Sequence, residues 1–478
     1  WLAPGPATAV AAVGSRGALV ATAGGLAVFR SENWTLAQKA DYFEAVAATT
    51  FDRHGLGGDV DLASVGDVST STGRPGDNDG LWTSLLTTSY AYAVADAARP
   101  EERETFEALL KKRAEGMEGL FATAAPNHSY PARTVATVDE CAAVGCDPPD
   151  WHASTTRDGW KYKGDTSSDE LSGHYLAYGA ILALAPSHPS AGFAAAAIRN
   201  VAKAVVRANL TLLEPSTGIP TTWGRWDPAQ LDERDWSDER GLNALEILAW
   251  LRQAEAAGWK EAGAAAAALK EDHGYGRQAV NARITAPDDE NFSDDELLVF
   301  PLFGHLVYAR GADRDPELLC AFSRAWAAGL GRQRGALWGA MHYAVLQDVV
   351  ARDEAARRVY ETCAAAASPF VAPASVEDRL AAAAADVAWG LENWPLDPVK
   401  WGVDQTARGD VELDRVAGRF GEAQLMSVLP PNERSALRWN ANPFAAAEGP
   451  SSNGDGSAAE DPGAFLLAYR LGKHYGLV

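Results

Sequence analysis

No uninterrupted apolar run reaches the roughly 18 residues that a membrane-spanning helix needs. Basic side chains are scarce. Lys and Arg number 42 against 64 Asp and Glu, a formal net charge of −22. Nucleic acid and anionic membrane are therefore excluded as partners, because phosphate binding needs clustered Lys and Arg. Cysteine is limited to Cys141, Cys146, Cys320 and Cys363, whose spacings do not form a zinc signature. EF-hand spacing and His-x-x-x-His are also missing. No metal site is expected; Ca²⁺ stays a candidate because Asp77, Asp79, Asp165, Asp169 and Asp295 are hard oxygen ligands.

The four cysteines are an even number, and Cys141 and Cys146 close a very short loop. Two disulfides are expected, Cys141–Cys146 and Cys320–Cys363, and with them an oxidising compartment. The alternative is four free thiols in a cytosolic protein. Sequons at Asn33, Asn127 and Asn209 fit a secreted glycoprotein; a fourth, Asn291, is set aside because it adjoins an acidic cluster. No signal peptide is visible, and the chain begins at Trp1 as a trimmed mature product would.

What is abundant is apolar and acidic sequence. At 478 residues and 47% hydrophobic content, the chain can bury a large core as one big domain or two to three ordinary ones. Residues 1–32 read as two short strands around the turn Gly14-Ser15-Arg16-Gly17, a β-hairpin. From Thr35 the pattern is helical, over 33–478. The helices come in pairs. One member is apolar and starts at an acidic motif; the other is charged on one face, as a surface helix should be. Long loops precede several apolar members, and such loops are uncommon unless functional. About six pairs imply an all-α (α/α)6-toroid, with a solenoid of the same hairpins as runner-up. Residues 394–460, irregular and rich in Pro and Gly, are expected to wall a pocket or to strap the terminus.

The acidic starts share one grammar: Gly76-Asp77-Asn78-Asp79-Gly80-Leu81-Trp82-Thr83, Gly164 to Tyr175, Asp235 to Asn243, and Ser293-Asp294-Asp295-Glu296-Leu297. Two of them, Ser167-x-x-Glu170 and Ser293-x-x-Glu296, also fit the capping box, which satisfies helix-end amides and nothing more. But a box uses one Ser and one Glu, and Asp77, Asp79, Asp169, Asp294 and Asp295 are left over. Carboxylates that converge on a hollow can divide the work of hydrolysis. A buried one keeps its proton and donates it, while another stays ionised and activates water. The expected catalytic group is Asp79 and Asp169, then Glu170 and Asp295. Trp82, Trp223 and Trp226 offer flat faces for sugar rings, or fill the core. Lys163, His174, Arg225, Arg240 and Asn440 are the expected polar substrate contacts; the cations among them can equally pair with local Asp and Glu.

The segment Ala21-Thr22-Ala23-Gly24-Gly25-Leu26 resembles the blade-closing unit of regulator-type β-propellers. The acidic motifs, together with Lys163 to Glu170 and Arg438 to Pro443, resemble large secreted or membrane-linked proteins. In these an α-helical domain follows such a propeller segment, and no activity is established for the group. At the level of architecture the helical part is similar to (α/α)6-toroid glycoside hydrolases and polysaccharide lyases, an analogy of fold, which does not fix function. Three expectations follow. The first is an extracellular, inverting glycosidase acting on oligo- or polysaccharide. The second is a polysaccharide lyase using His174 or Tyr175 with Lys163 or Arg225. The third is a glycan-binding or structural glycoprotein without catalysis.

Overall fold

The computed structural model describes residues 7–14, 17–30, 32–283, 291–309, 315–367, 374–401, 428–434, 442–444 and 454–478. The chain divides into two compact units, Trp1–Tyr42 and Phe43–Val478.

The first unit is a sheet of three antiparallel strands, β1 (Ala7–Ala12), β2 (Gly17–Thr22) and β3 (Gly25–Arg30), in that order. The sequence reading has two strands. The third arises because Thr22 and Gly25 pair across a tight turn, so that Leu19 meets Val28 and Val20 meets Ala27. Helix α1 (Leu36–Thr49) then opens on a reciprocal pair: Thr35 N–H donates to Gln38 Oε1 (2.9 Å), and Gln38 N–H donates to Thr35 Oγ1 (3.1 Å).

The second unit carries most of the helix, which makes up about 58% of the described residues. After α1 come α2 (Asp79–Asp96), α3 (Pro100–Ala124), α4 (Val138–Val144), α5 (Ser168–Leu184), α6 (Ala191–Arg207), α7 (Pro228–Asp232) and α8 (Arg240–Ala256). Then follow α9 (Glu261–His273), α10 (Tyr275–Ala279), α11 (Asp294–Phe303), α12 (Pro316–Ala328), α13 (Ala336–Val345), α14 (Glu354–Ala367), α15 (Val376–Glu392) and α16 (Gly463–His474). Helices α2, α5, α8, α11, α13 and α16 are buried on nearly every side. They touch in series: α2 on α5, α5 on α8, α8 on α11, α11 on α13, α13 on α16, and α16 back on α2. Amphipathic α3, α6, α9 and α15 cover α2, α5, α8 and α13 from outside.

Burial of α2 looks improbable from its run of Thr and Ser. Two of those hydroxyls find partners one turn back: Thr83 donates to the Asp79 carbonyl (2.5 Å) and Thr87 to the Thr83 carbonyl (2.9 Å). Close approach of α2 and α5 depends on two glycines. A Cβ on Gly173 would collide with the Leu81 backbone, and one on Gly80 with the Glu170 carboxylate.

The loops before the buried helices are not free of strands, which corrects a purely helical reading. They form three small antiparallel sheets: β4 (Val60–Leu62) and β5 (Ser71–Gly73) with β11 (Ala458–Ala459); β6 (Thr134–Thr137), β7 (Trp151–Ala153) and β8 (Trp160–Lys163); and β9 (Thr211–Leu213) with β10 (Pro220–Arg225). Both disulfides are formed. Cys141–Cys146 closes the end of α4, and Cys320–Cys363 staples α12 to α14. No described helix is long and apolar enough to cross a membrane. Most of the irregular segment, Asn440 included, lies outside the described residues.

Candidate active site

The first turns of α2, α5, α8 and α11 bring acidic side chains together. Neither expected capping box is made there. The Ser167 hydroxyl bonds the Asp169 carboxylate, and Glu170 Oε1 accepts from the Gly80 N–H of the neighbouring helix (3.1 Å). Ser293 donates to Asn291 Oδ1 (2.7 Å) instead of capping α11. Capping boxes do form at Thr137–Glu140 and Ser375–Asp378.

Three of the expected site carboxylates are locked. Asp79 meets Arg53 Nη2 (2.6 Å), the Thr134 hydroxyl (2.5 Å) and the Gly76 N–H (3.0 Å). The cavity beside it is about 10 Å³, room for one water and not for a sugar. Asp295 is held by Arg283 (2.8 Å) and by Gln333 Nε2 (2.5 Å). Glu170 is fully buried, with His174 Nε2 3.3 Å from its second oxygen. Burial drives Glu170 well above the usual carboxylate range and His174 down to about 3, so His174 is neutral at pH 7.

Asp169 differs. It stands at the edge of accessibility (9% exposed), and among the described residues its one side-chain partner is Ser167. Burial raises it; the Ser167 hydrogen bond and the Arg133 charge oppose the rise. Around it stand two half-buried carboxylates that the expected site omits. Burial and the charges of Asp238 and Asp169 push Glu239 up to about 7. Burial and the charges of Glu239, Asp295 and Asp169 push Asp294 up to about 8, against the pull of Arg283. Asp169, Glu239 and Asp294 thus lie within electrostatic reach of one another. Behind them Glu246 and Glu296 are buried and driven well above the usual range, burial again the main cause. The signal for Glu239 and Asp294 was present in the sequence: both occupy acidic helix starts.

Arg133 ties the rim together. Its Nε donates to the Asp165 carbonyl (2.7 Å) and its Nη1 to Asn78 Oδ1 (3.0 Å). Asp165 in turn accepts from the Thr222 N–H (2.6 Å), which fixes β10 and its Trp223 to the same loop. Trp223 is half exposed, and its ring centre lies 5.8 Å from that of Trp236.

Other expected contacts fall differently. Trp226 is fully buried, edge-on to Trp250 at 5.2 Å, with its N–H on Glu246 Oε2 (2.8 Å); it is core and cannot stack on a substrate. His174 is core too, its Nδ1 3.0 Å from Tyr178 Oη. Lys163 pairs with Asp77. Arg225 is taken by the Thr221 carbonyl (3.1 Å) and Gln230 (3.0 Å), and Arg240 by the Leu231 carbonyl (2.5 Å). Trp82 is half-buried on the first turn of α2. The sequon residues Asn33, Asn127 and Asn209 are exposed. No three His, Cys, Asp or Glu side chains among the described residues stand close enough to hold a metal ion.

No family model matches the chain, and no curated protein matches it. Among solved structures it is similar to a metagenome-derived glycoside hydrolase family 9 endoglucanase. Identity is 13%, over 96% of this chain and 84% of that one, with a TM-score of 0.39. A likeness that weak carries no argument about activity.

Proposed function

We propose that the second unit is an (α/α)6 toroid, closed where α16 returns to α2, and that it is a secreted glycoside hydrolase of the inverting type. A solenoid would leave its last helix far from its first. The supporting observation is the division among carboxylates at one hollow. Asp294 is held protonated to about pH 8 and suits the general acid. Asp169, which accepts a hydrogen bond from Ser167 and feels the charge of Arg133, suits the base that activates water. Trp223 and Trp236 would seat a sugar ring at the rim. Asp79 and Asp295, each held by an arginine, are anchors in this reading. Two disulfides suit an oxidising exterior.

The lyase reading loses its parts. Tyr175 is buried with its hydroxyl on the Ile198 carbonyl (3.0 Å), His174 is core, and Lys163 and Arg225 are occupied. The non-catalytic reading is favoured by acidic junctions that are separately capped on separate surfaces, and neither condition is met at Asp169 and Asp294. Digestion of a polysaccharide library, with the product anomer followed by NMR, tests the proposal. Asp169→Asn and Asp294→Asn should each lower hydrolysis about 10²- to 10⁴-fold with unchanged circular dichroism. Full activity in both variants would overturn it.

A further inference from the structure

The C-terminal ends of the buried helices carry a cavity that the hydrolase reading does not use. It measures about 440 Å³, within the size range of small-molecule sites. Its lining comes from the end of α13 and the end of α16, and each of the six side chains bears a polar group. An apolar ligand would strand those groups and is excluded.

One wall is shaped by an irregular turn. Helix α13 runs on into a π-turn, Leu346–Val350, which sets two consecutive side chains, Gln347 and Asp348, on the cavity. A second π-turn, Gly304–Tyr308, ends α11 and touches the first. Its Tyr308 hydroxyl donates to that of Tyr92 (3.0 Å), whose ring centre lies 5.0 Å from that of His474. Turns of this kind are rare and gather at functional sites.

Asp348 holds two of its neighbours in place. One oxygen accepts from the Tyr475 hydroxyl (2.7 Å), and the other meets Arg352 Nη2 (2.8 Å). His474 Nδ1 lies 2.8 Å from Asp96 Oδ1. Among the described residues the Tyr343 hydroxyl, the Gln347 amide and His474 Nε2 have no hydrogen-bond partner.

These groups define the ligand's chemistry. Arg352 answers Asp348, and α2, the π-turn after α13 and α16 all present carbonyl ends here, which disfavours an anion. A metal ion finds no three His, Cys, Asp or Glu ligands among the described residues. The uncommitted groups mix donors and acceptors, and that mixture suits hydroxyls, each of which donates and accepts. Tyr343 and Tyr475, ring centres 5.9 Å apart and planes at 58°, form an aromatic corner for the C–H face of a sugar ring.

We propose that this cavity is a binding site for a neutral sugar, separate from the acidic hollow. Tyr343, Gln347 and His474 bond its hydroxyls, and Asp348 acts through the Tyr475 and Arg352 side chains that it positions. The site stands whether or not the protein is a hydrolase.

The test is a ligand-observed NMR titration of the wild-type protein with glucose, galactose, mannose and N-acetylglucosamine, and with glucuronate and glucosamine as charged counterparts. At least one neutral sugar should bind with a Kd on the order of 1 mM. Gln347→Leu and Tyr343→Phe, each with unchanged circular dichroism, should weaken that binding about 3- to 10-fold, the worth of one hydrogen bond. Asp169→Asn, in the acidic hollow, should leave it unchanged. Absence of binding by all four neutral sugars overturns the inference. So does binding that neither cavity substitution weakens, or a charged counterpart that binds about tenfold tighter than the neutral sugars. Monosaccharides offer no bond to cut, so failure of the hydrolase reading leaves this result intact.

Discussion

The two ends of the buried helices are built from similar residues and differ in how their charges are settled. At the C-terminal ends, Asp348 accepts from the Tyr475 hydroxyl (2.7 Å) and pairs with Arg352 (2.8 Å). His474 meets Asp96 at 2.8 Å, and the Tyr308 hydroxyl donates to that of Tyr92 (3.0 Å). A polar cavity of about 440 Å³ opens there, lined by Tyr343, Gln347, Asp348, Arg352, His474 and Tyr475. At the N-terminal ends, Asp169, Glu239 and Asp294 repel one another, and among the described residues the glutamates behind them keep oxygens without partners. A cavity marks the first end; unbalanced charge marks the second. Paired acids are what a scaffold makes. Acids driven up by burial and by each other are what proton-transfer chemistry needs.

Substitution at both ends breaks or confirms this contrast. The largest effect belongs to the acidic hollow: the 10²- to 10⁴-fold loss of hydrolysis given above for Asp169→Asn and Asp294→Asn. Asp348→Asn at the other end should change the rate less than twofold. A comparable loss there would move the active site.

Next in size is Asp79→Asn. It leaves the Arg53 guanidinium buried against Thr134 with only the longer contact to Glu140 (3.5 Å) as counter-charge, and breaking one half of a buried pair costs about 3–5 kcal/mol, the lower end applying here. Chemical denaturation should show that loss, while any activity remaining in the folded fraction keeps its pH profile. A changed profile without lost stability would make Asp79 a catalytic group after all.

Trp223→Ala comes third. The side chain is half exposed, so stability should hold within about 0.5 kcal/mol. Loss of one stacking face should raise KM roughly 5- to 30-fold, an interaction of about 1–2 kcal/mol. Trp226→Ala should do the opposite, costing about 3–5 kcal/mol of stability by emptying core. Chemical denaturation and initial rates separate the two.

That last pair shows how far the sequence could be read. The buried helices were legible because apolar runs, acidic first turns and loop punctuation coincide; Ser168–Leu184 has the bounds its pattern gives. The identity of the proposed acids was not. Asp294, Asp295 and Glu296 are adjacent, but each step along a helix turns about 100°. Asp295 therefore meets Arg283, Glu296 faces inward and Asp294 is half-buried, accepting from Asn291 Nδ2 (2.7 Å). The locking arginines are remote or unmarked in the sequence: Arg53 lies 26 residues before Asp79. Trp223 and Trp226 could have been told apart. Trp223 lies within β10 and is half exposed, whereas Trp226 follows the strand's last residue, Arg225, and is core.

The smallest expected effect tests the contrast by its sign. Asp294 is raised from its ordinary 3.8 to about 8, burial first and the charges of Glu239, Asp295 and Asp169 next. The folded protein therefore holds this proton more tightly than the unfolded chain does. Between about pH 4 and pH 8 the native state carries the extra proton, so stability falls as pH rises, and the loss is complete above the folded value. Asp294→Asn keeps the shape and removes the ionisation. Because the group is half-buried, solvent screening trims the gain. The variant should melt a degree or two higher than the parent at pH 7–8, with no advantage at pH 4. Asp348→Asn, which gives up partners at the balanced end, should melt lower across that range. Melting curves at pH 4, 6 and 8 decide the matter. If removing Asp294 destabilised at pH 8 as removing Asp348 does, the two ends would be alike, and the hollow would be scaffold.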